Sequence, residues 1–224
     1  FKIPESDMAL EIVEFQGLNA TPVRPRFFDP GAITLTLVVE DLEATETRLH
    51  RIKGLEWISA TRPPAVEVRD PDGIFVNLVK FRKASSRLGA ATVRLGVTVE
   101  DLDRTTQFYK EALGFTGGGT SAARASLQVP GDGFPVDFGN PKYADRKPVH
   151  SAIHDPGSGV LRLRVSDFDA AVKALTAAGA TVVSAGGKPV NLGRNRAVIL
   201  RDRDNFFLQV LESAPAAGKV PAEK

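Results

Sequence analysis

The side chains that most often carry chemistry are scarce in this chain. Its 224 residues hold no cysteine and three histidines, His50, His150 and His154. Without cysteine there are no thiolate metal sites, no disulfide framework and no cysteine nucleophile. His150 and His154 stand four apart, a spacing that would present two imidazoles to a metal from one helix face. Pro148 and the run Asp155-Pro156-Gly157 flank them, however, so a connection is expected there and both read as surface or linker histidines. His50 falls in a polar, basic helical segment and is expected to face solvent. Gly117-Gly118-Gly119-Thr120 invites a phosphate-loop reading, but the lysine spacing of such loops is absent, and a loop rimming a pocket is expected instead. No serine has a recognisable histidine partner, which leaves a Ser–His triad unsupported. Trp57, the only tryptophan, is expected to pack in a core.

Composition sets the wider bounds. The chain carries 29 Lys+Arg against 27 Asp+Glu, a net charge of +2, with no basic stripe of the kind a nucleic-acid backbone requires, so nucleic acid is not expected as a partner. No apolar run reaches the roughly 18 residues that read as a membrane span. A secretory signal, if there were one, would lie upstream of Phe1, so the compartment stays open. With 42% hydrophobic residues, the length suits one large domain or two modest ones.

An internal repeat positions everything else. A shift of 126 residues sets Pro4 on Pro130, Glu11 on Asp137, Asp29-Pro30-Gly31 on Asp155-Pro156-Gly157 and Asp41 on Asp167. Further on the shift grows to 132, matching Arg69-Asp70-Pro71-Asp72 with Arg201-Asp202-Arg203-Asp204, which implies a six-residue insertion in the later copy. A finer repeat lies within: Val39-Glu40-Asp41-Leu42-Glu43 returns as Val99-Glu100-Asp101-Leu102-Asp103 and, more loosely, as Val165-Ser166-Asp167-Phe168-Asp169. Each copy follows a strand-like run (33–39, 93–99, 160–165) and opens a helix with an aspartate suited to N-capping. Short strands separated by turns follow, so each module reads strand, helix, then about three strands. Because residue 94 has no counterpart at a shift of 126, the chain is expected to begin inside a module. Only the last strand of that module, around 8–15, would be present, with about 35 residues absent.

The strand, the helix-opening V-x-D-[LF]-[DE], the run Phe108-Tyr109-Lys110-Glu111-Ala112-Leu113-Gly114-Phe115, the turn Asp70-Pro71-Asp72-Gly73 and the Pro4 to Glu11 spacing are together similar to the vicinal oxygen chelate superfamily of glyoxalase I, bleomycin-resistance proteins and extradiol dioxygenases. The resemblance spans residues 1–212. It implies an α+β fold of tandem βαβββ modules forming two paired-module, glyoxalase-like domains, the first module incomplete. Residues 1–82 would form the first domain, 83–91 a linker, 92–212 the second domain and 213–224 a disordered tail.

In metal-using relatives of this kind the ligands stand on the first and last strands of paired modules, usually His and Glu. Carried over, the resemblance points to Glu11, Thr34 and Asn77 in the first pair, the fourth position being absent, and to Arg94, Asp137, Val160 and Gln209 in the second. A guanidinium repels a metal and valine cannot ligate one, so no metal or other cofactor is expected; a divalent metal is the alternative. Arg94 and Asp137 are expected to pair across the pocket, either as a receptor for an anionic group or as two charges that only satisfy each other. The implied function is a metal-free small-molecule binder or a diverged enzyme of unassigned substrate. A metal-dependent lyase or dioxygenase and a structural or assembly module stand as alternatives, and a homodimer is compatible with each.

Overall fold

The structure is a computed structural model that describes residues 1–2, 9–58, 65–80, 93–131 and 133–213. The expected linker at 83–91, and the tail beyond residue 213, lie outside the described residues. The second module comprises β1 (Ile33–Val39), α1 (Leu42–Leu49), β2 (Glu56–Ile58), β3 (Ala65–Arg69) and β4 (Phe75–Lys80). The third comprises β5 (Val93–Thr98), α2 (Leu102–Leu113), β6 (Thr116–Ser121), β7 (Arg124–Gln128) and β8 (Pro135–Gly139). The fourth comprises β9 (Val160–Val165), α3 (Phe168–Ala177), β10 (Thr181–Val182), a 3-10 turn at Ala185–Gly187, β11 (Val190–Leu192), β12 (Asn195–Arg201) and β13 (Phe207–Glu212).

Each helix starts as its sequence dictates. Asp41, Asp101 and Asp167 hold extended backbone and accept the N–H of Ala44, Arg104 and Ala170 at 2.9, 3.0 and 3.0 Å. These bonds satisfy first-turn donors that a helix otherwise leaves open. Helix α2 ends on Gly114, whose φ of 69° is the left-handed conformation that closes a helix without strain on a Cβ.

Eight strands form one sheet in the order β2-β3-β4-β1-β5-β8-β7-β6, and the fourth module forms a second sheet in the order β10-β12-β13-β9, with β11 also paired to β12. The two modules of the large sheet meet where β1 and β5 run antiparallel, centred on Leu35 opposite Leu95. The large sheet thus runs across the 83–91 stretch and joins the second and third modules, not the third and fourth. The third and fourth modules meet instead through their helical faces, where Val97, Phe108, Tyr109 and Leu127 share one core with Leu163, Phe168, Leu175 and Leu208.

Three local expectations change. Residues 9–32 contain no strand, only an isolated bridge between Lys2 and Ala9, because no neighbouring chain supplies a ladder for 9–15 among the described residues. The glycine run lies within an edge strand, β6, paired to β7 with a register shift between Gly117 and Thr120, rather than in an open loop. Trp57 is partly exposed and stacks on His50 with ring centroids 4.1 Å apart, covering the edge strand β2 from outside the core.

The repeated Asp-Pro-Gly turns interlock with the strand-joining turns of the opposite module. A Cβ on Gly157 would lie 2.1 Å from the Asp72 carbonyl oxygen, and one on Gly31 would lie 2.9 Å from the Asp204 carbonyl oxygen. Gly157 also holds a φ of 88°, which side-chain-bearing residues rarely adopt. Gly157→Ala is therefore expected to cost about 2 kcal/mol in a urea melt, since both the dihedral and the backbone contact must give.

Candidate functional site

Strand alternation sends Val66, Val68 and Leu78 to the face covered by α1, and Val93, Val97, Leu127, Val136 and Phe138 to the face covered by α2. The intervening residues therefore lie on the helix-free face. There Glu67 (β3) stands opposite Asn77 (β4), Asn77 opposite Thr36 (β1), and Thr36 opposite Arg94 (β5). Asp137 (β8) continues the row opposite Ser126 (β7). Thr34 lies beside it on β1, opposite Gly96. A Cβ at position 96 would meet the Thr34 side chain and carbonyl at 3.3 Å, so the glycine keeps the two module-opening strands close at the centre of the face. Six strands thus contribute one continuous polar row, most of it half-buried.

Arg94 is the centre of that row. Its Nε donates to Asp137 Oδ2 at 2.7 Å, and its Nη2 donates to Asp137 Oδ1 at 2.5 Å and to Ser126 Oγ at 2.7 Å. The two side chains are 11% and 22% exposed, so this is a nearly buried bidentate pair. The pairing expected from the sequence is present, and Ser126 is an added partner that the repeat did not mark.

A divalent metal does not fit these groups. Of the four positions that the family resemblance assigns to ligands on this face, Thr34 and Asn77 are neutral, Arg94 is a fixed cation, and Asp137 already receives two N–H bonds from it. Among the described residues no three His, Cys, Asp or Glu side chains gather as a metal set.

Glu67, which sequence reasoning missed, is the other ionisable group in the row. Burial raises its carboxyl above the usual glutamate value. The signal lay in the alternation Val66-Glu67-Val68: valines on both sides point to α1 and turn the glutamate to the opposite face.

Glu11 and Gln209 are brought together elsewhere. Both bond to Arg162 on β9: Arg162 Nε donates to Gln209 Oε1 at 2.6 Å, and its Nη1 pairs with Glu11 Oε2. Glu11 therefore does not join Thr34 and Asn77, and Gln209 does not join Arg94 and Asp137, because the sheets pair different modules from those expected. Val160, the remaining carried-over position, lies partly exposed on the same strand. His50 lies against Trp57 as above, and His154 meets Phe15 edge-on at 6.3 Å.

A second polar cluster lies between α2 and the β12–β13 turn. Tyr109 Oη donates to Asp202 Oδ2 at 2.8 Å, and the backbone N–H groups of Asp204 and Phe206 donate to Asp202 Oδ1, each at 2.9 Å. Thr105 Oγ1 and the N–H of Glu100 donate to Asp204 at 2.6 and 2.8 Å. Burial, and next the Asp204 carboxylate, push the Asp202 carboxyl up to about 7. Beside it is a cavity of about 230 Å³ lined by Arg104, Gln107, Glu111, Ala178 and Arg203. This cluster joins modules and stands on the helical side, away from the polar row.

Among known proteins, the family model of the Glyoxalase/Bleomycin resistance protein/Dioxygenase superfamily matches residues 91–210. Glyoxalase I from Zea mays superposes with a TM-score of 0.60 at 14% identity, over 82% of this chain and 69% of that one. A putative dioxygenase from Bacillus subtilis subsp. subtilis str. 168 gives 0.54 at 18% identity, over 87% of this chain and 64% of that one, so this chain spans less than two thirds of its length. At these identities the likeness is one of fold. No curated protein matches the chain. No helix of the described residues is long and apolar enough to cross a membrane. With a family model that covers more than half its length, and a further βαβββ module at residues 33–80, this chain belongs to the Glyoxalase/Bleomycin resistance protein/Dioxygenase superfamily.

Proposed function

We propose that the helix-free face of the eight-stranded sheet binds a small organic molecule and does so without a divalent metal. The observation behind this reading is the Arg94–Asp137–Ser126 arrangement, which puts a bonded guanidinium where metal-using relatives would be expected to carry a ligand. The row offers amide, hydroxyl and carboxyl groups that can orient a polar ligand by hydrogen bonds, and a ligand with a carboxylate or enolate oxygen would compete with Asp137 for Arg94. The substrate or ligand class is accordingly a small molecule with such an oxygen. A second reading, a diverged enzyme, is favoured by Glu67: a half-buried carboxyl with a raised proton affinity suits proton transfer to or from a bound ligand.

Calorimetric titration with Mn²⁺ and Zn²⁺, paired with a thermal-shift screen of aromatic, catecholic and α-oxo acids, tests the proposal. Neither ion is expected to bind stoichiometrically, and at least one acid is expected to raise the melting temperature, an effect that Asn77→Ala or Ser126→Ala reduces. Tight one-to-one metal binding would overturn the metal-free reading.

A further inference from the structure

The cavity between α2, the end of α3 and the β12–β13 turn holds two cations that the fold leaves with donors to spare. Arg203 stands in the β12–β13 turn where the matching β3–β4 turn carries Pro71. Among the described residues its guanidinium makes no hydrogen bond or ion pair. It is nevertheless placed, because it lies against the exit of α3. A Cβ on Gly179 would stand 2.5 Å from Arg203 Nε, so only the bare backbone there leaves it room.

Arg104, in the first turn of α2, is held from behind. Its Nη2 stands 3.5 Å from Glu100 Oε2 and 3.5 Å from Asp204 Oδ1, and neither contact is a hydrogen bond. Its Nη1 has no partner among the described residues. The acids around the cavity are engaged or uncharged. Glu111 accepts from the Gln107 amide at 2.9 Å, Asp204 accepts from Thr105 and the Glu100 N–H, and Asp202 keeps its proton up to about pH 7. Phe108 and Ala178 supply an apolar wall. At the ~30 Å³ that a water occupies in the liquid, about 230 Å³ equals about eight waters, room for a phosphoryl group and a short carbon chain. The two guanidiniums come from a helix and a turn. A tetrahedral phosphoryl group offers oxygens in more than one plane and can serve both, whereas a single planar carboxylate matches one fork.

We infer that this cavity is a second ligand site, in which Arg104 and Arg203 receive the phosphoryl group of a small phosphate monoester whose carbon part lies on Phe108 and Ala178. Such a ligand touches α2 of the third module together with α3 and the β12–β13 turn of the fourth, and so ties the two modules together. The site stands on the helical side, and it holds or fails independently of the ligand proposed for the polar row.

Calorimetric titration of the 224-residue chain at pH 6, with glycerol 3-phosphate, inorganic phosphate and acetate, tests the inference. Glycerol 3-phosphate is expected to bind one to one, inorganic phosphate more weakly and acetate not at all. Arg203→Gln should weaken glycerol 3-phosphate binding about tenfold while the urea midpoint of the free protein stays put, since the side chain has no bond to lose. Arg104→Gln should weaken binding as well. Absence of binding, equal affinity in the parent and Arg203→Gln, or acetate bound as tightly as phosphate overturns the inference. Binding abolished by Asn77→Ala but not by Arg203→Gln would put the phosphate on the polar row, and overturns it too.

Discussion

Replacing Asp202 with asparagine should remove the largest fall in stability that the fold shows as pH rises from 4 to 7. The Asp202 carboxyl is raised from the usual aspartate value of 3.8 to about 7, first by burial and then by Asp204, against the opposing bonds from Tyr109 and two backbone N–H groups. The sign follows from which state holds the proton. Below about pH 4 the folded and unfolded chains both carry it, and the group's contribution is fully present. Between pH 4 and 7 the unfolded chain releases the proton while the folded chain keeps it, so stability falls. Above pH 7 the loss is complete and amounts to about 4 kcal/mol. An asparagine can still accept the N–H groups of Asp204 and Phe206 through Oδ1, and its amide can donate to the Tyr109 hydroxyl. Urea midpoints of the parent and Asp202→Asn, measured from pH 4 to 9, should therefore diverge in favour of the variant between pH 4 and about 7 and hold a constant difference beyond that. A constant difference across that range would show that Asp202 titrates normally. Tyr109 is itself held protonated, by burial first and then by Asp202, so it remains a donor throughout.

Arg94→Met should cost about 3 kcal/mol, among the largest effects of any substitution on the helix-free face. The guanidinium satisfies both oxygens of Asp137 and one serine hydroxyl, and its removal leaves a carboxylate largely shielded from water without a partner. Most of the loss belongs to the stranded charge rather than to the attraction between the pair. The double variant Arg94→Met with Asp137→Leu should accordingly recover to within about 1 kcal/mol of the parent. If the double variant is as unstable as the single one, the pair contributes through packing and its polar geometry is incidental. The same double variant should lose the small-molecule response, because the proposed ligand site draws on the same atoms.

Much of the local structure was legible because it depends on neighbours in sequence. The capping aspartates, the Asp-Pro-Gly turns and the strand runs at 33–39 and 160–165 all appear where their spacing places them. The Arg94–Asp137 pair was legible too, since both residues belong to one module, and strands β5 and β8 of a module are parallel neighbours. Which modules share a sheet was not legible. A repeat reveals the unit, while the partner of each opening strand depends on contacts between β1 and β5 that lie 60 positions apart and resemble the alternatives. The meeting of Glu11 and Gln209 at Arg162, apart from the row that holds Thr34, Asn77, Arg94 and Asp137, follows directly from that. Glu67 and Ser126 were missed because they stand on middle strands, where the family pattern assigns nothing and only face alternation marks them.

The polar row on the helix-free face is proposed to recognise its ligand without a metal. A ¹H–¹⁵N correlation spectrum of the metal-stripped protein, titrated with a small α-oxo or aromatic acid selected by thermal shift, tests it most directly. Saturable shifts should gather at residues 34, 36, 67, 77, 94, 126 and 137 and vanish in Arg94→Met with Asp137→Leu. Shifts gathered instead around Arg104, Asp202 and Arg203, or a response that appears only after a divalent ion is added, would contradict the account.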